Sequence, residues 1–130
     1  MGADDLEFLG SRGGVAEVNL GDIFWIVPPT SGSHVQQGRR PGIIWQDRVL
    51  YPNLPTSLVI PLTSKQAALR FGPCHLLQPS AKNGLLLPSV AMVFQLAAID
   101  LRDVGAKIGE VDDTDRQVLQ ALTKRVCGLP

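Results

Sequence analysis

Two arginines and a hydroxyl pair are the residues in this chain best suited to chemistry. Arg39 and Arg40 stand immediately before Pro41, and Thr63 and Ser64 close the apolar run Leu58-Val59-Ile60-Pro61-Leu62. Guanidinium forks match phosphate oxygens in shape and charge, and hydroxyls add short hydrogen bonds, so the combination suits a phosphodiester. A polar loop hinged on glycines, Gly32-Ser33-His34-Val35-Gln36-Gln37-Gly38, leads into the arginines. Pro41 biases Arg40 toward an extended backbone and limits where its side chain can point. His34 titrates near neutrality and reads as a substrate contact rather than a catalytic group. Arg39, Lys65 and Arg70 can track a nucleic-acid backbone, or can simply be solvated surface charge.

These side chains need strands to hold them. From Asn19 onward the chain alternates short apolar runs with turn residues. Leu20–Val27, Gly42–Gln46, Ser57–Leu62, Cys74–Leu77 and Ser89–Gln95 read as strands, with a further one over Ala106–Val111. Pro28-Pro29, Tyr51-Pro52-Asn53-Leu54-Pro55 and Ser80-Ala81-Lys82-Asn83-Gly84 supply the turns. Short strands at this spacing, without helical crossovers, predict a small bent barrel rather than a parallel sheet. The predicted helix is C-terminal. Asp112 or Asp113 can cap it, Val118, Leu119, Leu122 and Val126 share one face, Lys124 and Arg125 suit the C-terminal end of the dipole, and Gly128 stops it.

Composition sets the outer bounds. The chain has 130 residues, 45% of them hydrophobic and 18% charged, which describes one folded domain. We divide it into an acidic N-terminal extension, residues 1–17, read as mobile, and a single barrel with its terminal helix, residues 18–130. No apolar run approaches the roughly 18 residues of a membrane span, and the first residues do not read as a secretory signal. A cytoplasmic protein without membrane attachment is the expectation. Formal net charge is zero, but residues 1–17 set four acidic side chains against one arginine, a net of −3, whereas residues 18–103 set seven cations against four carboxylates, a net of +3. Such a local basic face can attract phosphate, because screening limits exposed charges to a range of about 8 Å. Cys74 and Cys127 have no metal-ligand spacing and read as buried free thiols.

The ordered pieces Gly21-Asp22-Ile23-Phe24-Trp25, Gly32-Ser33, Arg40-Pro41, Pro61-Leu62-Thr63-Ser64, Pro88-Ser89-Val90, Gln95 and Ile99-Asp100, followed by a basic strand and the helix, resemble the MazF/PemK/Kid family of toxin endoribonucleases. The resemblance spans about Leu20 to Leu129. It implies a mainly β fold, an SH3-like barrel of the MazF/Kid/CcdB type with a C-terminal helix. It also implies a homodimer, cleavage of single-stranded mRNA without metal or other cofactor, and neutralisation by a MazE-like antitoxin with an acidic disordered tail. Arg40 and Thr63 match the family's catalytic arginine and threonine. Ser33, His34, Arg39, Ser64, Lys65, Arg70 and Gln95 fall among the expected substrate contacts. His34 and Phe94 stand where relatives often carry a carboxylate, and this bears first on RNA sequence preference.

The implied reaction is attack by a ribose 2′-hydroxyl on the adjacent phosphate, leaving a cyclic phosphate, which would explain a preference for RNA over DNA. Arg40 would clamp the developing charge. A guanidinium holds its proton too firmly to be well suited to proton transfer. The ordinary alternatives are a solvated arginine and a strand-end threonine bonded to local backbone. Trp25 and Trp45 read as core, His75 as structural, and Phe94 as either a dimer contact or a base-stacking ring. Two rival functions stand beside the nuclease. One is a weakened relative that binds RNA or antitoxin without cutting; the other is a CcdB-like toxin that poisons DNA gyrase.

Overall fold

The computed structural model describes residues 18–28 and 39–130. Among them are seven strands and one α-helix. The strands are β1 (Asp22–Ile26), β2 (Arg40–Ile44), β3 (Thr56–Thr63), β4 (Cys74–Leu77), β5 (Ser89–Met92), β6 (Ala97–Asp100) and β7 (Val104–Glu110), and the helix is α1 (Asp113–Val126). Every pairing is antiparallel, in the order β4-β5-β3-β2-β1-β7, with β6 added to β3. The extension 1–17, with its reading as a mobile segment, lies outside the described residues, as do Ser33 and His34.

β3 organises the sheet. One edge carries β2; the other is divided, with Thr56–Val59 paired to β6 and Leu62–Thr63 paired to β5. Pro61 falls in the gap between those two pairings, a place where a residue without an N–H costs least. The change of partner bends the sheet around β3.

Consecutive apolar residues in β1, β2 and β3 reflect burial on both faces, not the alternation of a half-exposed strand. Ile23, Ile43 and Ile60, aligned across three strands, join one core with Leu62, Leu77, Ala91 and helix residue Leu119. Phe24, Ile26, Ile44 and Val59 point the other way, into a second core with Val18, Ile99, Leu101 and Val104.

Helix α1 begins as its residues dictate. The Asp112 carboxylate accepts the Asp115 N–H at 2.8 Å, and Lys124 and Arg125 occupy the last turn. Leu119 is fully buried and Leu122 packs against the first core, but Val118 and Val126 remain partly exposed, so the covered face is narrower than the apolar spacing predicts. Trp45 donates from Nε1 to Thr123 Oγ1 at 2.8 Å, and His75 Nε2 meets Asp115 Oδ1 at 2.7 Å; together they tie the helix to β4 and to the end of β2.

Three expectations are corrected. Val93–Gln95 is a 3-10 turn that ends β5 at Met92, so Gln95 is not on a strand. β6 and the 3-10 turn Gln66–Phe71 had no counterpart in the sequence reading. Both cysteines are free, but Cys127 is exposed and Cys74 only half-buried, where burial pushes its thiol pKa up.

Candidate functional site

Strand ends set the site. Gly42 pairs with Pro61 and Ile43 with Ile60; beyond that pairing β2 begins at Arg40 and β3 finishes at Thr63, so the two residues lie at the same end of the β2–β3 pair. Both line one cavity of about 610 Å³. Arg39, Ser64 and Lys65 line it too, so five of the residues expected from sequence share one site. Thr63 Oγ1 accepts the Lys65 N–H at 3.2 Å, which steadies the turn after β3 and leaves the hydroxyl proton to donate into the cavity.

Arg70 and Gln95 do not reach this cavity. Arg70 lies over the Phe71 ring, 4.9 Å from its centroid, and Phe71 contacts Phe94 with ring centroids 5.2 Å apart. Gln95 follows Phe94 and is exposed. The two residues thus flank a separate aromatic cluster.

Two cavity residues were not anticipated. Trp25, read as core, is 39% exposed and lines the cavity. The β1–β7 ladder shifts register between Ile23 and Phe24 and again between Phe24 and Ile26, the second shift spanning Trp25, and such irregularities re-aim a side chain. No residue-level pattern foretells that.

Lys107 is the other. It sits on β7 opposite Phe24, and its Nζ lies 3.4 Å from Asp22 Oδ1 and 3.2 Å from Glu110 Oε2. Desolvation alone would lower its pKa, but hydrogen bonding to Glu110 and the charges of Asp22 and Glu110 outweigh that and raise it. Only the basic character of the strand hinted at this residue.

Most of the remaining wall is apolar, Pro41, Leu62, Ile108 and the run Leu85-Leu86-Leu87, with the Ser89 hydroxyl turned to the Leu87 carbonyl at 2.9 Å. Four cations and the hydroxyls of Thr63 and Ser64 therefore share a cavity with a hydrophobic side, and none of its described lining residues is a carboxylate. Such a site can hold a phosphodiester against its cations and an aromatic or aliphatic group against its wall. Among the described residues, no group of three or more His, Cys, Asp or Glu side chains is arranged to hold a metal ion. No helix among them is long and apolar enough to cross a membrane.

A bent antiparallel sheet, closed by one C-terminal helix and opening into a cationic, hydroxyl-bearing cavity, defines a small β-barrel class with a site suited to a polyanion. Residues 19–127 match the family described as PemK-like, MazF-like toxin of type II toxin-antitoxin system, and the chain belongs to that family. No curated protein sequence matches it. Three solved structures are similar in fold. Toxin MazF-mt6 of Mycobacterium tuberculosis is 22% identical, with a TM-score of 0.62 over 82% of this chain and 98% of that one. A MazE-MazF crystal structure from Deinococcus radiodurans is 17% identical, with a TM-score of 0.66 over 86% and 96%. An endoribonuclease in complex with its cognate antitoxin, from a mycobacterial species, is 16% identical, with a TM-score of 0.66 over 88% and 98%.

Proposed function

We propose that this toxin is a cytoplasmic endoribonuclease that cuts single-stranded mRNA without a metal ion. The observation that carries the reading is that Arg40 and Thr63 line one cavity with two further cations, Lys65 and Lys107, and Ser64. The 2′-hydroxyl oxygen forms a bond to the adjacent phosphorus as the bond to the 5′-oxygen breaks. One strand end becomes a 2′,3′-cyclic phosphate. The departing 5′-oxygen takes a proton from water, balancing the one lost by the 2′-hydroxyl. Arg40 clamps the non-bridging oxygens as negative charge builds, and Thr63 donates one hydrogen bond; a preorganised donor of this kind is worth about 3–4 kcal/mol. Ser33, His34, Arg39, Ser64 and Lys65 hold the flanking nucleotides.

The same reading makes the protein a homodimer. Phe71 is half-exposed beside Phe94, and an isologous pairing would cover that cluster and bring Arg70 and Gln95 toward the partner copy's substrate. Phe71→Glu should then yield a monomer by light scattering. The antitoxin that neutralises the toxin would present an acidic segment, complementary to the cations of the cavity.

The test is incubation of purified protein with long single-stranded RNA in EDTA, beside Arg40→Ala and Thr63→Val. Discrete fragments ending in cyclic phosphate, lost in both variants, support the nuclease. Intact RNA together with inhibited DNA gyrase would favour a CcdB-like poison, and RNA binding without scission a weakened relative.

A further inference from the structure

We propose that Leu86 and Leu87, standing across the cavity with Trp25, form a nucleobase-reading strip that sets which RNA sequences are cut; the proposal rests on the endoribonuclease reading above. Leu86 is 92% exposed and Leu87 59%, two adjacent large apolar side chains open to solvent. Both line the cavity that holds Arg40 and Thr63.

Their exposure does not come from a slack loop. Asn83, 3% exposed, accepts from the N–H groups of Ser80 and Leu85 through Oδ1, donates from Nδ2 to the Gln78 carbonyl, and donates its own N–H to Ser80 Oγ. Gly84, at φ +68°, packs so closely on β7 that a Cβ there would lie 2.2 Å from the Ile108 carbonyl oxygen. Glu110 donates its backbone N–H to the Lys82 carbonyl at 3.0 Å. The leucines are therefore displayed by a loop clamped to the strand that also carries Lys107.

Charge decides the occupant. Cations and no carboxylate among the described lining residues suit a polyanion, and the apolar side suits the flat faces of its bases. Ser64 and Thr63 sit where the phosphate would lie, which places the strip beside a base next to the scissile bond. Trp25 offers a stacking surface that tolerates any base. The leucines offer no donor or acceptor, so a base that must turn its polar edge toward them loses hydrogen bonds it makes in water. Selection at this position is by shape and desolvation.

The test is sequencing of cleavage ends from a random-sequence single-stranded RNA pool, with wild type, Leu86→Ser/Leu87→Ser and Leu86→Phe. Equal thermal midpoints establish that the variants are folded. The expected result is a base preference at one position beside the cut in wild type, flattened about tenfold in the double serine variant and shifted to a different base in Leu86→Phe. Wild type that cuts no RNA overturns the nuclease reading and this one with it. Wild type that cuts selectively, with a preference unchanged in both variants, overturns the strip alone. So does an unchanged preference accompanied by weaker binding of an acidic antitoxin peptide, which assigns the leucines to the peptide.

Discussion

Lys107 reaches from the cavity to the buried carboxylate of Asp22, with 3.4 Å between Nζ and Oδ1. Asp22 also accepts the Asn19 N–H at 3.0 Å, so one side chain fixes both the entry to β1 and a cation of the site. Asp22→Asn preserves the shape and removes the charge. It should cost about 1 kcal/mol in urea denaturation, the scale of a partly exposed ion pair. The raised pKa of Lys107 gives the pH sign. Its contribution is fully present below the ordinary value of 10.5 and fades as pH climbs through the higher folded value. Asp22→Asn should therefore flatten the alkaline limb of the stability profile.

Arg40→Lys keeps the charge but loses the planar fork. The reading of Arg40 as an oxyanion clamp predicts a fall of about 10²-fold in kcat for Arg40→Ala, with lysine restoring only part of it, under single-turnover conditions. Thr63→Ser should retain activity, since it keeps both the proton donor and the acceptor for Lys65 N–H. An active Thr63→Val would remove the hydroxyl from the mechanism.

Gly84→Ala brings a left-handed backbone and a carbonyl collision together. The expected loss is about 1–3 kcal/mol, read as a lower melting temperature. Cleavage by the folded fraction should also lose its sequence preference, because the loop displaying Leu86 and Leu87 must shift.

Arg48 is 6% exposed and donates to the carbonyls of Pro52, Leu54 and Thr56. Arg48→Met fills comparable volume and leaves three acceptors without their donor. A loss of about 3 kcal/mol follows from the desolvation of those groups. Activity per folded molecule should be unchanged, since none of them lines the cavity.

Asp100 and Asp103 should respond to acid in opposite directions. Hydrogen bonds from the Arg102 side chain and backbone hold the Asp100 carboxyl below its ordinary 3.8. Desolvation, with the nearby charge of Asp100, pushes Asp103 above 3.8. The Asp100 contribution is present above 3.8 and is lost as pH falls through its depressed value. The Asp103 contribution is full below 3.8 and is lost as pH rises through its raised value. At neutral pH, Asp100→Asn should destabilise and Asp103→Asn should stabilise, by chemical denaturation.

Much of the fold was legible because β-branched runs bounded by proline and glycine mark β1 to β3, and Asp112 marks the start of the helix. β6 escaped because Ala97 and Ala98 carry little strand preference and four residues leave little pattern. Val90 to Phe94 reads as one apolar run, yet a 3-10 turn cuts it after Met92. At the site, Arg40 and Thr63 were visible as side chains next to Pro41 and at a strand end. Their meeting at one cavity was not, because it depends on how distant segments align. Trp25 and Lys107 entered the cavity through a ladder irregularity and a long-range ion pair, and neither leaves a local trace in the sequence.

The strands that bear Arg40 and Thr63 are also the innermost staves of the molecule, walled by hydrophobic packing front and back. The alignment of those two residues is thus inherited from the architecture as a whole, and any retuning of what this toxin recognises must be worked at the tips of its turns, leaving the staves untouched.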